Sequence, residues 1–236
     1  MKKDRLSYSA LSNFAKSPNH LLSYWENEFE PTSAMLFGSL LHKMILQPET
    51  FSYDYAIYEG RRAGKDWIEF KEHNKTKNIV TGKEYNTAKK VFNKAKENPI
   101  FKDLLMQTTE TEKHLHWSLN GVNYHGYADM IGETFIADIK TTTDAGDKFA
   151  RDLLYNNYKL QAAMYLSAKP LQHYYIIAVE KSEPYNVQVY ELGEELLDKG
   201  LKQYIELNKK YKQWDGKPQS YNNGIIKIGE YEKSIF

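Results

Sequence analysis

Apolar and polar residues follow two rhythms along this chain, and the switch between them divides it. The N-terminal stretch, residues 1–48, has a helical rhythm. Ser7 or Ser9 is placed to cap a short helix ending near Ser17-Pro18, and a second helix runs to about Asn27. Thr32 or Ser33 opens a third, AMLFGSLLHKMIL, closed by Pro48. That stretch is apolar on nearly every side, which predicts a buried helix. A mixed region follows. Thr81-Gly82-Lys83-Glu84 has capping-box spacing and predicts a helix to about Glu97, broken by Asn98-Pro99. The period then changes to two. EKHLHWSL, an Asn120-Gly121 turn and VNYHGYADMI have the pattern of a hairpin, and TFIADIKTT continues as a strand. Residues 146–155 and 158–168 return to helix, HYYIIAVEK and NVQVYEL read as strands, and a long helix spans about Glu194 to Gln213. This order predicts a mixed α/β fold with helices against a central sheet. There is no internal repeat, low-complexity segment or linker, so a single domain over residues 1–236 is the simplest reading. It comprises a helical part (1–48), a sheet-and-helix core (110–191) and an irregular tail (214–236).

Composition narrows the classes. Charged residues make up 27% and hydrophobic residues 41% of the 236, enough for a sizeable core. The absence of cysteine excludes disulfides, thiolate zinc sites and cysteine-ligated iron–sulfur clusters, and fits a reducing cytoplasm. The N-terminus MKKDRLSYSAL has no long apolar run, so neither a signal peptide nor a membrane span is expected. The net charge of +1 is uninformative, but its distribution is not. From Arg61 to Lys96, eleven basic residues face four acids, a local excess that could follow a phosphate backbone. A solvated helical surface explains the same run equally well. Nineteen tyrosines and four tryptophans are many, and aromatics either fill cores or stack on bases.

The candidate chemistry lies in GYADMIGETFIADIKTT. On a strand, Asp138 and Lys140 share one face and Ile139 points away. Asp129 ends the preceding strand pattern. Charge rarely enters a sheet interior unless it is paired or bound to metal. Two carboxylates and a lysine there suit a divalent-metal site for phosphodiester hydrolysis, the carboxylates holding the cation and the lysine steadying an anionic oxygen or the attacking water. Gln161 and Tyr165 in YKLQAAMYL share a helix face. His42 lies in the apolar helix after Gly38 and Ser39, where a neighbour could approach closely; it reads either as a hydrogen-bonded core residue or as a ligand. His114 and His116 share a strand face and His125 could sit on the partner strand of the hairpin, which admits a three-histidine zinc site or a solvent-facing ribbon.

The order of these parts resembles the PD-(D/E)xK nuclease superfamily in its RecB-like branch. Within it the chain is most similar to the RecE-type (exonuclease VIII) family of phage and prophage exonucleases. The similarity runs through YSALSNFAKSPNHL, GSLLHKMILQPETF, RRAGKDWIEF, NGVNYHGYADMI and, most specifically, DIKTTTDAGDKFARDLLYNNYKLQAAMYLSA. The resemblance implies a central mixed sheet flanked by helices and a Mg²⁺ (or Mn²⁺) cofactor. It implies His42, Asp129, Asp138 and the Ile139 carbonyl as metal ligands, Lys140 as catalytic lysine, and Gln161 and Tyr165 as a bracing or backbone-contacting motif. Glu112 is expected as a supporting carboxylate. It further implies double-stranded DNA ends as substrate, 5′→3′ polarity, a 3′ single-stranded tail, a single-strand annealing recombinase as partner, a homo-oligomeric ring, and action in the cytoplasm of a bacterial host. Arg61, Arg62 and Lys65 are candidate phosphate contacts, and Trp67 is a candidate stacking residue. An endonuclease of restriction or repair type, and a non-catalytic nucleic-acid-binding protein on a nuclease fold, stay open as alternatives.

Overall fold

The computed structural model describes residues 3–27 and 30–219, so most of the expected tail lies outside the described residues. A two-residue strand β1 (Arg5–Leu6) leads into α1 (Tyr8–Lys16), α2 (Pro18–Glu26) and α3 (Ser33–Leu46). Ser7, Ser17 and Thr32 cap the three helices, each side-chain oxygen accepting from a backbone N–H of the first turn. α3 is only partly buried, contrary to the expectation from its composition. Leu40, Leu41, Met44, Ile45 and Leu46 are buried, whereas Met35 and Leu36 are 46% and 51% exposed. Only the C-terminal half of the helix packs into the core, and the other half borders a groove.

The mixed region contains elements too short for periodicity to reveal: α4 (Phe51–Asp54), β2 (Tyr55–Tyr58), α5 (Lys65–His73) and β3 (Asn78–Thr81). β2 and β3 form a separate two-stranded parallel sheet. The capping box at Thr81 and Glu84 starts α6 (Gly82–Ala95). Asn98-Pro99 ends that helix but also begins another, α7 (Pro99–Gln107). Asn98 accepts the N–H of Phe101, and proline occupies the first turn, where no donor is needed. Then come β4 (Glu110–Leu119), β5 (Val122–Ile131), β6 (Phe135–Thr142), α8 (Asp147–Tyr155), α9 (Tyr158–Ala168), β7 (His173–Glu180), β8 (Val187–Glu191) and α10 (Glu194–Gln213).

The main sheet has six strands and is mixed. β4 pairs antiparallel with β5 over almost its full length, across the Asn120-Gly121 turn. β6 and β7 are parallel over eight residues, with α8 and α9 in the crossover. β5 and β6 are paired at Met130↔Ala137 and Ile131↔Ile136 only. At its other end β5 pairs with β1 through Arg5↔Asn123 and Leu6↔Tyr124. β5 and β6 therefore splay apart beyond Met130, and their facing backbones open a cleft inside the sheet.

Both faces are covered. Leu11, Tyr124, Ile136, Leu160, Ile176 and Tyr204 belong to one core, under α1, α9 and α10. Leu41, Ile45, Val91, Phe101, Ile139 and Val179 belong to the other, under α3, α6 and α7. Alternation along β6 and β7 sends successive apolar side chains to opposite cores. Trp214, which the sequence reading grouped with a tail available for subunit contacts, is 5% exposed. It packs on Phe14 and Tyr211 with ring centroids 5.5 and 5.8 Å away. Among the described residues no helix is long and apolar enough to cross a membrane.

Candidate active site

The cleft between β5 and β6 collects charge. Asp129 on β5 is buried, and its Oδ2 accepts the N–H of Ile139 at 2.7 Å. That donor faces the cleft where β6 has left β5, so the carboxylate replaces a missing ladder partner. From α3, His42 reaches across and its Nε2 donates to the Ile139 carbonyl at 2.9 Å. This bond fixes the ring and aims Nδ1 at Asp129 Oδ2 and Glu112 Oε1, both 3.6 Å away. Among the described residues, His42, Glu112 and Asp129 form the one group of three side chains able to converge on a cation.

Glu112 enters the group through its backbone. The pairs Thr111↔Met130 and Lys113↔Ala128 flank it and put it opposite Asp129. Its φ is 48°, in the left-handed region that a non-glycine residue adopts at a cost of about 1–3 kcal/mol. The strained backbone inside a strand sets the Glu112 carboxylate 3.6 Å from the His42 ring. The sequence reading placed Glu112 in a supporting role, because a strand-like stretch gives no sign of a left-handed residue.

Asp138 stands outside this group and joins a second set. Its Oδ1 accepts from Gln161 Nε2 at 2.7 Å, and its Oδ2 pairs with Lys140 Nζ at 2.7 Å. Tyr165, one turn beyond Gln161, packs its ring against Gly126 and lies edge-on to Trp117. A methyl group at Gly126 would sit 2.6 Å from the Tyr165 ring, so glycine is what lets α9 approach β5 so closely. Two tyrosines that the sequence reading passed over adjoin Lys140. The Tyr158 ring lies 5.7 Å from Nζ, and Tyr8 is close enough to feel the ammonium. Tyr158 precedes Gln161 by one helical turn, so the i,i+3 rule would have grouped them.

The electrostatics follow from burial. Burial and the Asp138 charge push the Asp129 carboxyl up to about 7, against the pull of His42, Lys140 and the Ile139 N–H. Burial disfavours an imidazolium at His42. The Asp129 charge, the Glu112 hydrogen bond and the Asp138 charge outweigh it and raise His42 to about 9. Burial likewise opposes the Lys140 ammonium, but Asp138 and Asp129 hold its pKa above the ordinary lysine range, so it stays protonated. The protons that Asp129 and His42 hold so tightly are what a divalent cation would displace, and a donor set of carboxylates and one imidazole fits Mg²⁺ or Mn²⁺. The Ile139 carbonyl, expected as a ligand, is engaged by His42.

The site opens into a groove of about 880 Å³ lined by Gly38, Ser39, His42, Glu112, Lys140 and Thr141 among others. Gly38 does approach Thr141, but a methyl group there would lie at an ordinary 3.5 Å from Oγ1, so this approach does not demand glycine. Ser39, Tyr55 and Asn78 also line an adjoining cavity of about 560 Å³ that Arg62 enters. Arg62 is tied down there: it donates to the Ile79 carbonyl at 2.8 Å and stands 5.7 Å over the Trp67 ring. Trp67 is half-buried beside Tyr58, whereas Arg61 and Lys65 are exposed. These four residues lie on the lobe of β2, α5 and β3 and are not among those lining the carboxylate groove. His114, His116 and His125 share one ribbon face as expected, but their ring nitrogens do not converge as a metal-ligand set.

A mixed sheet covered on both faces, with acidic residues, Lys140 and Gln161 meeting where two strands splay, defines a nuclease fold of the PD-(D/E)xK type. The chain belongs to the family described as "PDDEXK-like domain of unknown function (DUF3799)", whose model matches residues 7–222. No curated protein matches the chain. Among solved structures it is similar in fold to a candidate exonuclease from Eubacterium rectale: the TM-score is 0.67 at 13% identity, covering 98% of this chain and 94% of that one. A weaker likeness, TM-score 0.38 at 11% identity over 89% of each chain, is to an alkaline exonuclease (LHK-Exo) from Laribacter hongkongensis. Another, TM-score 0.39 at 12% identity over 89% of this chain and 93% of the other, is to a phage-related exonuclease from Haemophilus somnus 129PT.

Proposed function

We propose that the protein is a metal-dependent DNA exonuclease acting on double-stranded ends. The observation that supports this most directly is the meeting of His42, Glu112 and Asp129 beside the Gln161–Asp138–Lys140 chain, with His42, Glu112 and Lys140 lining one groove. His42, Glu112 and Asp129 would hold the cation, with Asp138 beside them. A divalent cation there supplies Lewis-acid polarisation of a phosphate and a water of lowered pKa. The protein's own groups do the rest. Asp138 holds the Lys140 ammonium over the groove, and Gln161 holds Asp138. Lys140 stays charged, so its part is to neutralise negative charge developing on the phosphoryl oxygens rather than to take a proton from water. The Ile139 carbonyl fixes the His42 ring, leaving Nδ1 as the ligand nitrogen once it loses its proton.

The finer reading rests on resemblance to RecE-type exonucleases: 5′→3′ polarity, a 3′ single-stranded tail passed to a single-strand annealing recombinase, and a ring of identical subunits. Incubation with Mg²⁺ and linear duplex labelled separately at its 5′ and 3′ ends tests activity and polarity together. Early loss of the 5′ label with covalently closed plasmid left intact is the expected result. A nicked or linearised plasmid would turn the reading to an endonuclease, and no metal-dependent loss of DNA would turn it to a binding protein.

A further inference from the structure

The ribbon of β4 and β5 carries more than the carboxylates. Glu112 and Asp129 oppose each other, and the next same-face positions outward are His114↔Tyr127, then His116↔His125, then Ser118↔Asn123 with Arg5 of β1 paired beside Asn123. Residues directly opposite across a ladder, and residues two apart along a strand, share a face. One face therefore runs from the acidic site over a patch of rings to a cation. His114 stacks on Tyr127 at 4.3 Å with 7° between planes, and the His116 ring lies 3.9 Å from that of His114. Among the described residues no helix covers these rungs. Tyr127 is 53% exposed, His114, His116, Asn123 and Arg5 are exposed, and His125 is half-exposed. At the far end, Arg5, His116 and Asn123 line a shallow groove of about 390 Å³. Beyond Glu112 and Asp129 none of the positions on this face is acidic.

We infer that this ribbon face is a binding track for an unpaired nucleic-acid strand, entering or leaving the carboxylate site with its bases against the exposed outer side of the His114, Tyr127 and His116 ring cluster and a phosphate near Arg5. The inference rests on the nuclease reading for its direction, because the track begins at the carboxylate rung. One feature selects an unpaired strand, and the others are compatible with it. Flat rings accept bases whose faces are free, and duplex bases already cover one another. Successive rungs are about 7 Å apart, two residues of strand. An extended strand can place one nucleotide per rung at that spacing. Arg5 and the exposed imidazoles supply donors for the backbone, and beyond the Glu112–Asp129 rung no paired position on this face is acidic. The rings tolerate any base, since stacking reads a π-face rather than a hydrogen-bonding edge.

The test uses the full chain and its variants Tyr127→Ala, Tyr127→Phe and the double change His114→Ala/His116→Ala. Fluorescence anisotropy would measure binding of a short labelled oligothymidylate and, separately, a blunt hairpin duplex. Melting curves would check folding, and Mg²⁺-dependent cleavage of linear duplex by the unchanged protein would be followed in parallel. Loss of one stacking ring is expected to weaken oligothymidylate binding about tenfold. Tyr127→Phe should restore it, and hairpin binding and melting should not move. Variants that bind oligothymidylate as well as the unchanged protein does, or unchanged protein that fails to bind it, would overturn the track. So would a loss of hairpin affinity equal to the loss for oligothymidylate. Failure of cleavage by the unchanged protein would count against the nuclease reading alone, since the stacking comparison needs no turnover.

Discussion

At the scale of residues, the site is a balance of charges that the fold holds under tension. Lys140 and Asp138 form the sharpest pair to test. Lys140→Ala or Asp138→Ala should lower the cleavage rate by about 10²–10³ in a protein that still folds, the usual effect of losing one preorganised charge. Near-normal turnover in either variant would remove both from the mechanism. Glu112 separates strain from charge. In the metal-free protein Glu112→Gly should melt higher than Glu112→Ala by about 1 kcal/mol, because only glycine adopts the positive φ of 48° without penalty. Both variants should need more Mg²⁺ for activity. The pKa shifts predict a pH dependence with one sign. Asp129 rises from 3.8 to about 7 and His42 from 6.5 to about 9. Each group's proton is bound more tightly in the folded state, so its contribution is fully present below the unfolded value and is lost as pH rises through the folded one. Without metal, stability should decline between about pH 4 and 9, and Mg²⁺ should restore most of the loss above pH 7. Melting curves in chelator and in Mg²⁺ across that range check it, and a metal-free protein that gains stability with pH would contradict it.

At the scale of elements, the decisive contacts are those that bring α9 and α10 against the sheet. Gly200 on α10 meets the Lys159 carbonyl of α9, where an added methyl group would lie 2.2 Å from a backbone oxygen. A backbone atom cannot rotate away, so Gly200→Ala must push the two helices apart. A loss of about 1–3 kcal/mol is expected, or roughly 2–12 °C in a melting curve. Gly126→Ala meets only the edge of the Tyr165 ring, whose displacement should disturb Gln161 and through it Asp138. It should therefore cost activity more than stability, the reverse of Gly200→Ala. The hairpin of β4 and β5 was legible from Asn120-Gly121 and the alternation on either side. β1, β2, β3 and α7 were not. The three strands are two to four residues long, below any usable period, and Asn98-Pro99 reads as a stop when it is also a start.

At the scale of the whole molecule, a net charge of +1 gives one subunit little general hold on DNA. Retention would have to come from local charge or from assembly. Neutralising Arg61 and Lys65, both exposed, should flatten the salt dependence of duplex binding by about one log–log unit for each phosphate that is no longer neutralised. Arg62 needs separate treatment, because its bond to Ile79 makes its replacement a change in the lobe as well as in charge. A closed ring would keep threaded DNA from escaping sideways, and cyclic symmetry favours such assemblies. Light scattering at micromolar concentration should show a homo-oligomer, and a monomer that degrades long duplex without dissociating would rule the ring out.

The sequence by itself determined the order of helices and strands, because each long element repeats its apolar residues at its own period. It also singled out Asp129, Asp138, Lys140, Gln161 and His42, since charge or imidazole in an apolar stretch needs a partner. What only the tertiary structure decided is how these residues divide. The parting of β5 from β6 after two paired rungs makes the cleft, and no local pattern in either strand announces it. The left-handed turn of Glu112 brings a third acid onto His42 and leaves Asp138 to hold Lys140. Periodicity reports which face a side chain takes. It is blind to register between strands and to a single residue's φ, and in this protein those two quantities assemble the site.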